Sequence, residues 1–353
     1  MPTEAEKRKR VLEPRIDPAS KKMDVGGLMI QPTSTLTALL YGFAHHPNNK
    51  AKEFYFWRIC DELWNREELP EPMMVRHPWA EKMVRAALKD KYLAIGGSAS
   101  SGKSHTMAAW GIVQWLCQPR DTLVLMTSTT LREARKRIWG SVMSLLSVID
   151  GAPIKIRDSI GNAAYIDENG TLIERAGLSL IAAEKSKTRE AIGKFIGIKQ
   201  KRVIMIGDEL SELSESILQA GLTNLSKNPF FQMIGMSNPN SRFDAFGVWS
   251  EPNKGWEAID TQTADEWKTK WGGKYIRLDG ERSPNIVLGE VKYPWLPTAE
   301  KLEEDRLLLG PESRGYMRMV RAVFFDSDET TGIYSEAEMA KSGSLGDVDW
   351  ADK

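Results

Sequence analysis

The stretch Gly97-Ser98-Ala99-Ser100-Ser101-Gly102-Lys103-Ser104 fixes a ligand, a local fold and a reaction class together. It fits the pattern G-x-x-x-x-G-K-[ST]. Its surroundings suit it: Tyr92-Leu93-Ala94-Ile95 reads as a buried strand leading in, and Thr106-Met107-Ala108-Ala109-Trp110 as a helix leading out. Small residues let successive backbone N–H groups curl around a phosphate chain, and the positive end of the following helix faces the same anion. The pattern assigns Lys103 to the β- and γ-phosphates of a nucleoside triphosphate and the Ser104 hydroxyl to Mg²⁺, with His105 closing the nucleotide-contacting run. The bland alternative is a Gly/Ser-rich turn that closes a strand–helix unit without a ligand.

A second landmark is Val203-Ile204-Met205-Ile206-Gly207-Asp208-Glu209. Four apolar residues make a central strand, and two carboxylates stand at its C-terminal end, where ligands bind in open α/β sheets. Asp208 is placed to hold Mg²⁺, and Glu209 to orient and deprotonate an attacking water, which favours hydrolysis over transfer to a second substrate. Alone, such a run also describes a strand ending in a solvated turn. A third strand, Phe230–Met236, ends in Ser237-Asn238-Pro239, where the Asn238 amide either senses the γ-phosphate or, with Pro239, simply initiates a turn.

Strand–loop–helix units repeat around these landmarks. Thr122–Thr127 is a second buried strand, followed by one long amphipathic helix over Leu131–Ile149, and together they indicate a mostly parallel sheet with crossover helices. Asp167-Glu168-Asn169-Gly170 marks a hairpin inside 154–182, and the Lys/Arg-rich segment 184–202 reads as a loop. Upstream, residues 1–25 are charged and contain Pro, and read as a mobile arm. Helical spacing over Thr35–Phe43 and Lys52–Leu63 gives an N-terminal helical segment, 26–70, in which Phe54, Phe56 and Trp57 read as core. A helix over Trp79–Leu88 then feeds the first strand of a nucleotide-binding core spanning 71–241. From 242 to 325 five tryptophans interleave with Lys and Gly, which suggests a small C-terminal lid subdomain rather than another strand of the sheet, closed by helices over Ala299–Leu309 and Ser313–Arg321. Residues 326–353 read as a linker.

Net charge is zero, with 48 basic and 48 acidic residues, which argues against a passive nucleic-acid coat and for local, intermittent contact with any DNA. No apolar run reaches the ~20 residues that cross a bilayer, so no membrane partner is expected. Cys60 and Cys117 have no metal spacing and fit a reducing compartment.

Residues 71–340 resemble the ATPase part of the large terminase subunit, the DNA-packaging motor of tailed bacteriophages. The resemblance rests on Gly97–Ser104, on Val203–Glu209, on Ser237-Asn238-Pro239 at the place of the family's coupling motif, and on Gly255-Trp256, Tyr275–Gly280, Ser283-Pro284-Asn285 and Tyr316–Phe325. It implies an α/β P-loop NTPase of the ASCE type that hydrolyses ATP with Mg²⁺ in the host cytoplasm. It also implies double-stranded DNA, a portal and procapsid, and the small terminase subunit as partners. The subunits would form a homo-oligomeric ring on the capsid and could be monomeric in isolation. A nuclease domain usually follows the ATPase in this family, so the resemblance implies either a fragment that ends before it or a cutting function that lies elsewhere; the expectation falls on the fragment, without nuclease activity. The family places an arginine finger before the Asp-Glu strand; of Arg189, Lys194 and Arg202, the expectation falls on Arg189. Three features depart from the family, the first being that none of these three residues aligns cleanly with its finger. No Arg lies within the phosphate loop, and no adenine-contacting Gln stands around Pro78–Glu81. Two rival functions are a nucleotide-gated DNA and capsid docking scaffold with little turnover, and a P-loop kinase acting on a small molecule.

Overall fold

The computed structural model describes residues 3–16, 22–31, 33–183 and 188–325; the expected linker 326–353 lies outside them. The chain begins with α1 (Glu4–Leu12), started by a reciprocal capping box in which Thr3 and Glu6 satisfy each other's backbone N–H. Strands β1 (Arg15–Ile16), β2 (Met23–Val25) and β3 (Leu28–Ile30) form a small antiparallel sheet. This differs from the mobile arm expected over the first 25 residues. The segment has no apolar period, yet Leu12 and Val25 suffice to anchor it in the main core.

Three helices follow, α2 (Thr35–His45), α3 (Asn49–Trp64) and α4 (Pro78–Lys89), capped by Ser34, Asn48 and His77 side chains. Phe56 and Trp57 are buried, as their spacing predicts. Next come β4 (Tyr92–Gly97), α5 (Lys103–Cys117) and β5 (Thr122–Ser128), then α6 (Leu131–Lys136) and α7 (Ile138–Leu146) where one long helix was expected. The break falls at Arg137, with φ −114° and ψ −107°. Gly140 permits it, because a Cβ there would sit 2.5 Å from the Arg135 carbonyl oxygen.

Strands β6 (Ile154–Arg157), β7 (Asn162–Ile166) and β8 (Leu172–Ala182) include the expected hairpin. The segment read as a loop contains α8 (Thr188–Phe195); its basic residues hide a short apolar stripe from which Phe195 is fully buried. The chain continues through β9 (Arg202–Asp208), α9 (Glu215–Ala220), β10 (Phe230–Ser237), α10 (Ala245–Ser250), β11 (Glu266–Lys268) and β12 (Lys274–Leu278). It finishes with α11 (Pro284–Leu288), α12 (Ala299–Leu309) and α13 (Arg314–Met319).

Nine strands form one mixed, mostly parallel sheet in the order β11-β12-β4-β10-β9-β5-β8-β7-β6. The stretch from β12 to β8 is parallel, and the antiparallel pairs lie at the two ends. Alternate residues of one strand enter opposite faces. Leu93, Val124, Ile204 and Ile234 join a core with α3, α4, α5 and α7, while Ala94, Leu125, Val203 and Met233 join one with α9 and α10. The lid expected over 242–325 as a piece apart from the sheet instead supplies β11 and β12. Arg277 disguises that strand, because its guanidinium is buried and paired with Asp265 at 3.2 Å and Asp279 at 3.3 Å. Of the five tryptophans there, Trp249 and Trp267 are buried among the aromatic rings of Tyr275, Phe246 and Phe324, Trp256 and Trp271 pack partly buried against the same core, and Trp295 is exposed.

Candidate functional site

Strand register brings three sequence landmarks to one edge of the sheet. β10 lies between β4 and β9, with Ser237 opposite Gly96 and Met236 opposite Asp208. The loop after β4, the Asp208-Glu209 pair and Asn238 therefore emerge side by side at the C-terminal ends of parallel strands.

The phosphate loop is bent by two residues in the left-handed region, Ser100 at φ 56° and Gly102 at φ 75°, the second being the cap of α5. Lys103 Nζ donates to the carbonyls of Gly97 at 3.0 Å and Ser98 at 2.9 Å and to Ser101 Oγ at 3.0 Å. These contacts curl the ammonium back over its own loop, where the β- and γ-phosphates are expected. Burial pushes its pKa down to about 8, opposed by Glu209 and Asp208. The loop is also tied to the end of β12 and to α13, since Ser98 N–H donates to Leu278 O and Ala99 N–H to Met319 O, each at 2.9 Å.

Ser104 Oγ donates to Asp208 Oδ1 at 3.0 Å. Asp208 is 2 % exposed, its Oδ2 is buried without a partner, and burial raises its pKa to about 6, with the Glu209 charge adding to the effect. An unpaired buried carboxylate oxygen beside a hydroxyl fits Mg²⁺, which takes one or two protein oxygens and completes its octahedron with phosphate and water. No cluster of three or more His, Cys, Asp or Glu suited to a metal exists among the described residues, so a site built without phosphate is not indicated.

Glu209 has a left-handed backbone, φ 51° and ψ 50°, which turns its side chain out of the strand direction and leaves it partly exposed. Ser237 Oγ donates to its Oε2 at 3.4 Å, and Arg137 Nη1 pairs with its Oε1 at 2.9 Å. Asn238 Nδ2 is buried with no partner, an amide donor ready for an acceptor at this edge. His105 Nε2 lies 2.7 Å from Met73 O and so braces the loop against the segment before α4. Beside it a cleft of about 340 Å³ is lined by Met73, Val75, His77, Gly102, His105 and Trp295.

Arg189 lies exposed on α8, and no hydrogen bond or ion pair joins it to these groups among the described residues. The arginine that does reach Glu209 is Arg137, which the sequence reading placed inside a continuous helix. Its signal was Gly140 three residues on, a residue that interrupts helices. His77 was also missed. It is 4 % exposed, caps α4 through Nδ1, and is held neutral by burial at a pKa of about 4.

No family model and no curated protein matches the chain. Among solved structures, the large terminase ATPase domain of Thermus phage P74-26 aligns with a TM-score of 0.51 at 14 % identity, covering 76 % of this chain and 98 % of that one. An arginine-to-alanine mutant of that domain aligns with the same score and coverage at 13 % identity. The likeness is one of fold: this chain has the α/β architecture of a terminase ATPase domain.

Proposed function

We propose that the chain is a Mg²⁺-dependent ATPase of the large-terminase type, which couples ATP hydrolysis to movement of double-stranded DNA into a procapsid. The observation that carries the reading is the meeting of Lys103 and Ser104 with Asp208 and Glu209 across β10. Lys103 and the loop N–H groups bind the triphosphate; Ser104 and Asp208 would hold Mg²⁺, which supplies charge neutralisation at the phosphate oxygens. Glu209 accepts a proton from water lined up with the γ-phosphate, and Asn238 Nδ2 donates to the same edge of the ligand. The cleft between Met73 and Trp295 is apolar enough to receive a nucleobase, and its location beside Gly102 and His105 supports that role. Portal, small subunit, ring assembly and host cytoplasm belong to this reading. The fold likeness supports it, and no helix among the described residues is long and apolar enough to cross a membrane.

A second reading, a nucleotide-gated docking scaffold with little turnover, is favoured by the Arg137–Glu209 pair, which engages the carboxylate needed for water activation. Steady-state ATP hydrolysis with and without double-stranded DNA separates the two. A motor gives turnover stimulated by DNA, with the stimulation falling as salt rises. Binding of ATP without DNA-stimulated turnover leaves the scaffold, and transfer of phosphate to a small acceptor returns the kinase.

A further inference from the structure

A cleft of about 340 Å³ opens at the other end of the sheet, where β9 and β10 begin. A seven-residue strand separates it from Asp208, a span of roughly 20 Å. Phe43, Lys52, Trp110, Arg202, Phe230 and Phe231 are among its walls. Four cations line it, Lys52, Lys89, Lys91 and Arg202, and of these Lys52 and Arg202 pair with no carboxylate among the described residues. Arg202 Nη2 donates to Gln114 Oε1 at 2.6 Å, the guanidinium carbon lies 4.3 Å from the Phe230 ring centroid, and Nε is buried with no partner. Lys52 Nζ has one long hydrogen bond, 3.4 Å to Ala44 O, among the described residues.

Nothing among the described residues balances these charges. Burial lowers the pKa of both, and Arg202 lowers that of Lys52 further. The Cys117 thiol beside them is pushed by burial up to about 12, so it is neutral at physiological pH. Asp90 is the one carboxylate in the walls, and the cations acting on it are Lys274 and Lys89 rather than Lys52 or Arg202. Two half-buried like charges with unfilled donors, set against aromatic rings, are costly in the free protein and favourable once an anion lies between them.

We propose that this cleft binds a small organic oxyanion, its phosphate or carboxylate head between Lys52 and Arg202 and its flat apolar body against Phe230 and Phe43. The site is independent of the nucleotide at the phosphate loop, because the two lie at opposite ends of the same strands. Its size suits one small ligand.

Calorimetric titration of the full chain carrying Lys103→Ala, which disables the phosphate loop, tests this with three probes: phenyl phosphate, benzoate and inorganic phosphate. One aromatic anion is expected to bind per chain. Tighter binding of phenyl phosphate identifies a phosphate head, and tighter binding of benzoate a carboxylate. Inorganic phosphate, lacking the apolar body, is expected to bind about tenfold more weakly. Adding Lys52→Gln, on the partly exposed side of α3, weakens the aromatic anion about tenfold, and Phe230→Ala weakens it as well; thermal unfolding checks that both variants fold. The proposal is overturned if neither aromatic anion binds at millimolar concentration, if inorganic phosphate binds as tightly as the tighter of the two aromatic anions, or if both variants bind like their parent. Whether ATP binds the unmutated chain is a separate measurement, so failure here leaves the ATPase reading standing.

Discussion

Lys103 and Asp208 are both ionisable groups buried before any ligand arrives, and each is displaced toward its neutral form. Between pH ~4 and ~6 folded Asp208 binds its proton more tightly than an unfolded aspartate does. This group therefore makes the ligand-free fold lose stability as pH rises through that window, and the loss persists above it. Asp208→Asn removes the loss, so at neutral pH the ligand-free variant melts higher than the parent while its thermal stabilisation by ATP with Mg²⁺ disappears. In the parent that stabilisation is present above pH ~6 and fades below it, where a proton competes for the Asp208 oxygens; a stabilisation of equal size on both sides of pH ~6 refutes Asp208 as the metal's ligand. Glu209→Gln keeps ATP binding but lowers turnover about 10²–10⁴-fold, as expected for loss of a general base; parental turnover excludes the role. Arg137→Gln releases the Glu209 carboxylate and raises DNA-free turnover up to about fivefold, the scale of a partly exposed ion pair. A fall instead places Arg137 on the side of catalysis.

At the scale of the element, the chemistry-bearing loops were legible because a parallel strand buried on both faces is a short apolar run, and β4, β5, β9 and β10 each announce themselves that way. Asp208, Glu209, Ser104 and Lys103 follow from position at the ends of those runs. What stayed hidden depends on contacts that no local spacing encodes. Arg277 looks solvent-facing until Asp265 and Asp279 are seen around it, and so β12 was read as part of a lid. Arg137 reaches Glu209 through a break that two helices' worth of apolar spacing conceals. α8 was obscured by its Lys and Arg residues. The close fit of β12 on β4 gives a test: a Cβ on Gly96 would meet the Tyr275 hydroxyl at 2.0 Å. Gly96→Ala is therefore expected to cost about 1–3 kcal/mol in a denaturant melt, and Tyr275→Phe, which removes that hydroxyl, to recover part of the loss in the double variant.

Across the whole molecule, the end of the described chain is fastened onto the loop 97–104 and the end of β12 beside it. Gly280 N–H donates to Val320 O, Ala99 N–H to Met319 O, and Arg321 and Arg306 both pair with Glu281, which also accepts from Tyr316 Oη. A change at that loop is thus expected to reach α13 and the residues up to Val323. Hydrogen exchange with and without ATP and Mg²⁺ should show altered protection at 97–104 and again at 316–323, with α1 and β1–β3 unchanged; protection confined to 97–104 would break that link. The same topology bears on how the protein is made. Strand β4 is flanked by β10 and β12, both far downstream. On the ribosome the strand that leads into residues 97–104 therefore waits with both edges bare until residue 237 has left the exit tunnel, and with its β12 edge bare until residue 278 has. Nascent chains stalled short of that point carry an open ribbon of unpaired amides and are the ones most in need of a chaperone.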